Sequence, residues 1–113
     1  MGLFDKFAPG GDANPDEISY ADLQAGLASK AVALVDVREP YEFDAGHAPE
    51  ALSLPLSSFD PADLPTDKPV VLICRAGSRS LTALAKAREA GFVEARHYRG
   101  GMIGWAQSGG EVV

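Results

Sequence analysis

The stretch VVLICRAGSRSLTALAKAREAG, residues 70–91, runs from an unbroken apolar segment through a glycine-containing turn into a helical pattern. Val70 to Ile73, entered from Asp67-Lys68-Pro69, reads as a strand covered on both faces, and strands of that kind belong to parallel sheets. From Ser78 onward Leu81, Leu84 and Ala85 predict an apolar helical stripe. Lys86 and Arg88 lie late in that helix, where its dipole favours cations, and Gly91 is a natural stop.

The alternation continues outward from this stretch. Val32–Val35, the weaker Ala51–Leu54 and Ala95–Tyr98 are further strand candidates bounded by turn residues. Ser19 caps a first predicted helix with Asp22 three residues on, and Tyr20, Leu23 and Leu27 share one face of it. Pro40 opens a short helix through Phe43, stopped at Gly46, which Tyr41 and Phe43 are expected to pack. Gly100 and Gly101 allow a close backbone approach ahead of a last helical segment, whose Trp105 reads as core. Strands alternating with helices predict the α/β class. Ligands of an open parallel sheet sit beyond the carboxyl ends of its strands. The segments DVREP from Asp36, CRAGSR from Cys74 and RGG from Arg99 are therefore expected to meet on one rim.

Composition narrows the function classes. With 113 residues, 46% hydrophobic and 23% charged, the chain has the make-up of one globular domain, drawn here at 15–113 behind a flexible tail at 1–14. Leu3, Phe4 and Phe7 in that tail make too short an apolar segment to hold a helix in water. A single cysteine excludes an internal disulfide and a paired-thiolate metal site, and His47 and His97 lack metal-ligand spacing, so neither a metal nor a cofactor is implied. No apolar run reaches the roughly 18 residues of a membrane span, so a cytoplasmic protein with no membrane partner is expected. The net charge of −6 argues against nucleic acid as a partner. That charge is unevenly spread: residues 1–69 carry thirteen acids against four Lys or Arg, and 70–113 carry three against six. The second half can attract a small anion.

Cys74 ends the buried strand just ahead of a helix start, where unpaired amide hydrogens and the helix dipole favour a thiolate. Arg75 and Arg79 flank the same turn and add positive charge. Gly77 lets the backbone curl so that successive N–H groups point inward, while Ser78 and Ser80 can cap the helix or donate to the same anion. The pattern describes a nucleophilic sulfur in an anion cradle made by Arg75, Ala76, Gly77, Ser78 and Arg79.

CRAGSR followed by a helix, with DVREPYEFDAGHAPEA upstream and a GGxxxW segment downstream, resembles the rhodanese family of sulfurtransferases over about Ile18 to Gly109. The resemblance implies a small, mainly parallel sheet of about five strands flanked by helices on both faces. It further implies that the loop cysteine takes a sulfane sulfur from thiosulfate or a similar anionic donor. The resulting persulfide hands it to cyanide or a thiol, including a protein thiol. With no second cysteine the acceptor must come from outside. Cysteine phosphatases of related architecture place five residues between Cys and Arg, whereas four stand here, so phosphatase or arsenate reductase activity is the lesser alternative. A persulfide carrier with little turnover and a catalytically silent interaction domain are the non-enzymatic readings.

Asp36 and Arg38 are assigned supporting roles, Asp36 pairing either with Arg79 or loop amides, or locally with Arg38 at the surface. His47 lies in GHAPEA, which departs at Ala48 and Glu50 from the family's usual G-H-I-P-G-A; Glu50 brings a local turn and the donor preference into question. His47 is expected to be a hydrogen-bonded turn residue, and His97 a half-buried strand residue.

Overall fold

The computed structural model describes residues 14–113, so what was expected of the tail, including Leu3, Phe4 and Phe7, lies outside the described residues for residues 1–13. Helix α1 spans Tyr20–Ala28, β1 Ala33–Asp36, α2 Pro40–Ala45 and β2 Leu52–Ser53. Two single 3-10 turns, Leu56–Ser58 and Pro61–Asp63, lead to β3 at Val70–Ile73. Then follow α3 at Ser78–Glu89, β4 at Arg96–His97 and α4 at Gly101–Gln107.

The strands lie in the order β2-β1-β3-β4, and each neighbouring pair is parallel. Val35 stands opposite both Leu52 and Leu72, and Leu72 opposite His97. The expected fifth strand is reduced to one residue, a parallel bridge between Glu17 and His97. The reason is local: Ser19 accepts from the Asp22 amide and starts α1 two residues after the bridge, leaving no length for a ladder.

All four residues of β3 are buried, as a central strand requires. One face of the sheet packs Val71, Ile73 and Leu34 against Leu23 of α1 and Met102 and Trp105 of α4. The other packs Val35, Val70 and Leu72 against Ala83, Leu84 and Ala87 of α3. The buried stripe of α3 is therefore Ser80, Ala83, Leu84 and Ala87, not Leu81, Leu84 and Ala85 as the pattern predicted. Small side chains let the helix lie close on the sheet, and Leu81 and Ala85 turn to solvent. No helix among the described residues is long and apolar enough to cross a membrane.

Strand order reverses between β1 and β3: β2 lies to one side of β1, and β3 with β4 to the other. Such a switch point opens a crevice at the carboxyl ends of the two strands, and here those ends are Asp36 and Ile73, the latter followed at once by Cys74.

Candidate active site

Gly77 is the cap of α3 and adopts φ +100°, a left-handed conformation in which a side chain is strained. A Cβ there would also stand 2.4 Å from the Arg99 carbonyl oxygen. That turn aims the amides of the loop back at Cys74. The Gly77 N–H donates to Sγ at 3.1 Å and the Ser80 N–H at 3.2 Å, while the Ser80 hydroxyl oxygen lies 3.4 Å from the sulfur. Among the described residues, the amides of Ser78 and Arg79, in the same first turn, have no acceptor within the chain. Neither serine side chain caps the helix.

Cys74 is buried among the apolar side chains on the α3 face of the sheet, with its sulfur turned to these donors. Burial pushes the thiol pKa up. The hydroxyl and amide of Ser80 and the amides of Gly77 and Ala76 more than offset that, so it lies below the ordinary thiol value. Arg75 and Ala76 are exposed at the lip of the loop. The loop is clasped from below: the Cys74 and Arg75 carbonyls accept from the amides of Met102 and Ile103 in α4 at 2.8 and 3.2 Å. Gly101, at φ +62°, permits this approach, since a Cβ there would meet the Arg75 carbonyl oxygen at 2.2 Å.

The two loop arginines differ. Arg79 donates to both carboxylate oxygens of Glu42 in α2, at 2.6 and 3.0 Å. Glu42 is held at a pKa of about 2, chiefly by these hydrogen bonds. Arg75 makes no ion pair among the described residues and faces a cleft of about 470 Å³ shared with Arg38, Tyr41, Glu42 and Ile103.

Asp36 contacts neither Arg79 nor the loop amides. Its carboxylate accepts from the backbone N–H of Arg38 and from the guanidinium, at 2.7–3.0 Å, and the pair is buried rather than at the surface. The same guanidinium donates to the Gly46 carbonyl at 2.8 Å, so the pair ties the end of β1 to the end of α2. His47 is hydrogen-bonded as expected, in the irregular segment after α2 just ahead of the turn at 49–50: Nδ1 lies 2.8 Å from the Phe43 carbonyl, the ring stacks on Phe43 at 3.7 Å, and its backbone exchanges hydrogen bonds with Val113. Tyr41, expected to pack α2, is 76% exposed instead. Ala48 is buried core, whereas Glu50 lines a cleft with Lys30 and Lys68 at the opposite ends of the strands from Cys74. Its departure from the usual glycine makes no contact at the thiol. Among the described residues no cluster of three or more His, Cys, Asp or Glu is placed to hold a metal ion.

Two contributors escaped the sequence reading. Glu42 pairs across 37 positions, which no local pattern signals. His97 is 3% exposed rather than half-buried, and its Nδ1 lies 2.8 Å from the Ser80 hydroxyl. Its position was in principle available, since a parallel register of β4 on β3 puts it beside Leu72, two residues before Cys74.

A cysteine cupped by the amides of a short loop at a parallel-sheet switch point agrees with the family comparison: the model for the rhodanese-like domain matches residues 19–108. The chain belongs to the rhodanese-like family. It is 47% identical to an uncharacterized protein of Synechocystis sp. over 81% of its own length, and spans about half, 52%, of that protein. It is 39% identical to a sulfurtransferase of Allochromatium vinosum, covering 87% of this chain and 94% of that one. The solved structure of a human single-domain sulfurtransferase superposes with a TM-score of 0.73 at 30% identity, over 81% of this chain and 96% of the human one.

Proposed function

We propose that this rhodanese-like chain is a sulfurtransferase in which Cys74 carries the sulfur. The observation that supports this reading most directly is the convergence of the Gly77 and Ser80 amides on Sγ. These donors favour the thiolate, the nucleophilic form, over the thiol. The names borne by the Allochromatium and human relatives point the same way.

In the proposed reaction the thiolate attacks the outer sulfur of thiosulfate. A bond forms between Sγ and that sulfur, the sulfur–sulfur bond of the donor breaks, and sulfite leaves with the electron pair. The persulfide anion then has the same kind of partners as the thiolate it replaces, including the Ser78 and Arg79 amides that have no acceptor among the described residues. Cyanide or an external thiolate takes the terminal sulfur and restores the Cys74 thiolate. Arg75, at the lip and without an ion pair among the described residues, is assigned to draw in the anionic donor; Arg79, held by Glu42, shapes the loop.

Intact mass after incubation with thiosulfate tests the reading. The expected result is one added sulfur atom on the native chain, removable by cyanide or dithiothreitol, and none on Cys74→Ser. An unmodified native chain would count against sulfur transfer from this donor. Steady-state formation of thiocyanate then separates an enzyme from a carrier that loads only once.

A further inference from the structure

We propose that His97 is a positioning residue for Cys74: through its Nδ1 it decides whether the Ser80 hydroxyl can donate to the cysteine sulfur. This inference rests on the reading of Cys74 as the sulfur-carrying thiol. It starts from a continuous buried chain of polar atoms, Sγ to Ser80 Oγ at 3.4 Å and Ser80 Oγ to His97 Nδ1 at 2.8 Å. All three residues are at most 3% exposed, so no water competes freely for these groups.

Counting protons gives the consequence. Ser80 has one hydroxyl proton and can give it to only one neighbour. With a neutral thiol, S–H donates to Oγ and the hydroxyl has two acceptors, Nδ1 at 2.8 Å and the Gly77 carbonyl oxygen at 3.3 Å; donation along the shorter contact puts the imidazole proton on Nε2. With a thiolate, the hydroxyl must turn its proton to the sulfur, and Oγ is then free to accept from Nδ1–H. Ionisation therefore moves the thiol proton to Oγ, the hydroxyl proton to Nδ1, and the Nε2 proton to solvent. One proton leaves in all, and the imidazole is neutral before and after.

The surroundings of His97 suit a tautomer change of this kind. Burial is the largest influence and disfavours the imidazolium, Arg99 and Arg88 add to it, and Glu17 and Asp16 oppose it; the net pKa is below the ordinary histidine value. His97 also lines a cleft of about 240 Å³ with Asp16, Glu17, Gly77 and Arg99, which gives the departing proton a way out. The same hydrogen-bond arrangement would serve a persulfide anion.

The single cysteine makes the test direct. Alkylation of the resting protein by iodoacetamide, followed by intact mass across a pH series, gives the midpoint of Cys74 ionisation independently of how easily the reagent enters. Ser80→Ala and His97→Leu are each expected to raise that midpoint by about one pH unit, cutting the thiolate fraction about tenfold at pH values below it. The double variant should shift no further than either alone. His97→Asn, whose carboxamide N–H can stand in for Nδ1–H, should bring the midpoint most of the way back to the native value.

A wild-type midpoint in folded His97→Leu overturns the proposal, and so do additive shifts in the double variant or a shift in His97→Asn as large as that of Ser80→Ala. Should His97→Leu fail to fold, imidazole nitrogen shifts in Ser80→Ala provide the second measurement: an altered tautomer balance supports the coupling, and an unchanged one overturns it. No sulfur donor enters these titrations. A failure of thiosulfate to load the protein would therefore count against the proposed function and not against the role of His97.

Discussion

Glu42 holds Arg79 through two parallel hydrogen bonds, 2.6 and 3.0 Å long, and so fastens α2 to the loop that cups Cys74. Helix α2 buries no residue of its own, which makes this pair, with the Arg38 bond to Gly46, an important part of what fixes its position. The carboxylate pKa falls from 4.5 to about 2, chiefly because of the Arg79 bonds. Glu42 is thus more acidic folded than unfolded, and its stabilisation is present above the ordinary value and lost as pH falls through the interval down to about 2. Glu42→Gln is expected to cost about 1 kcal/mol at neutral pH, given a partly exposed but bidentate pair. Urea unfolding at several pH values checks this: the difference between variant and native chain should shrink toward zero through that acidic interval.

Three glycines with positive φ separate backbone strain from lost geometry. Gly91, at φ +102°, has nothing within 4 Å of the point where a Cβ would stand, so Gly91→Ala should cost only the left-handed penalty, about 1 kcal/mol, with sulfur loading unchanged. Gly77→Ala and Gly101→Ala bring the same kind of strain together with overlaps on the Arg99 and Arg75 carbonyls. The loop must shift, and the amides aimed at Sγ shift with it. Loading of Cys74 by thiosulfate should slow about a hundredfold in both, measured by intact mass against time.

Much of this architecture was legible because the deciding signals are local. Four apolar residues in β3, Ser19 before α1, Pro40 opening α2 and Gly77 ahead of α3 each act through their own backbone and a few neighbours. The loop about Cys74 was readable for the same reason, since its donors come from residues within six positions of the sulfur. What escaped depends on separations that sequence does not reveal. Arg79 pairs with Glu42, while Asp36, the acid the sequence offered it, is held by the buried Arg38. The stripe on α3 was misplaced because side-chain size governed the contact: Ala83 and Ala87 fit between helix and sheet, and Leu81 does not have to.

Asp36 and Arg38 form the buried ion pair of the rim, the carboxylate fully covered and the Arg38 side chain 8% exposed. Removing one partner leaves the other charge in a poorly solvated place, a change that typically costs about 3–5 kcal/mol. Asp36→Ala should be destabilised by that order, while Asp36→Leu combined with Arg38→Met should recover a substantial part of it. Denaturant midpoints for the single and double variants decide. A loss below about 1 kcal/mol in Asp36→Ala would show that water reaches the pair.

The acidity of Cys74 links chemistry to stability in one measurable direction. Burial alone would raise its pKa, yet the hydroxyl and amide of Ser80 and the amides of Gly77 and Ala76 bring it below the ordinary thiol value. The rate of loading by thiosulfate should then rise with pH to a plateau, with its midpoint below that of a free cysteine. The folded state, being the more acidic, releases its thiol proton first. Stability should therefore increase as pH climbs from the folded midpoint toward the unfolded one, and Cys74→Ser should lack that increase. Paired measurements, loading rate by mass and unfolding by urea, must place the folded midpoint at the same pH. If the rate midpoint lies at or above that of free cysteine, the hydrogen bonds at Sγ do not outweigh the cost of burial, and nucleophilic activation by the loop is ruled out.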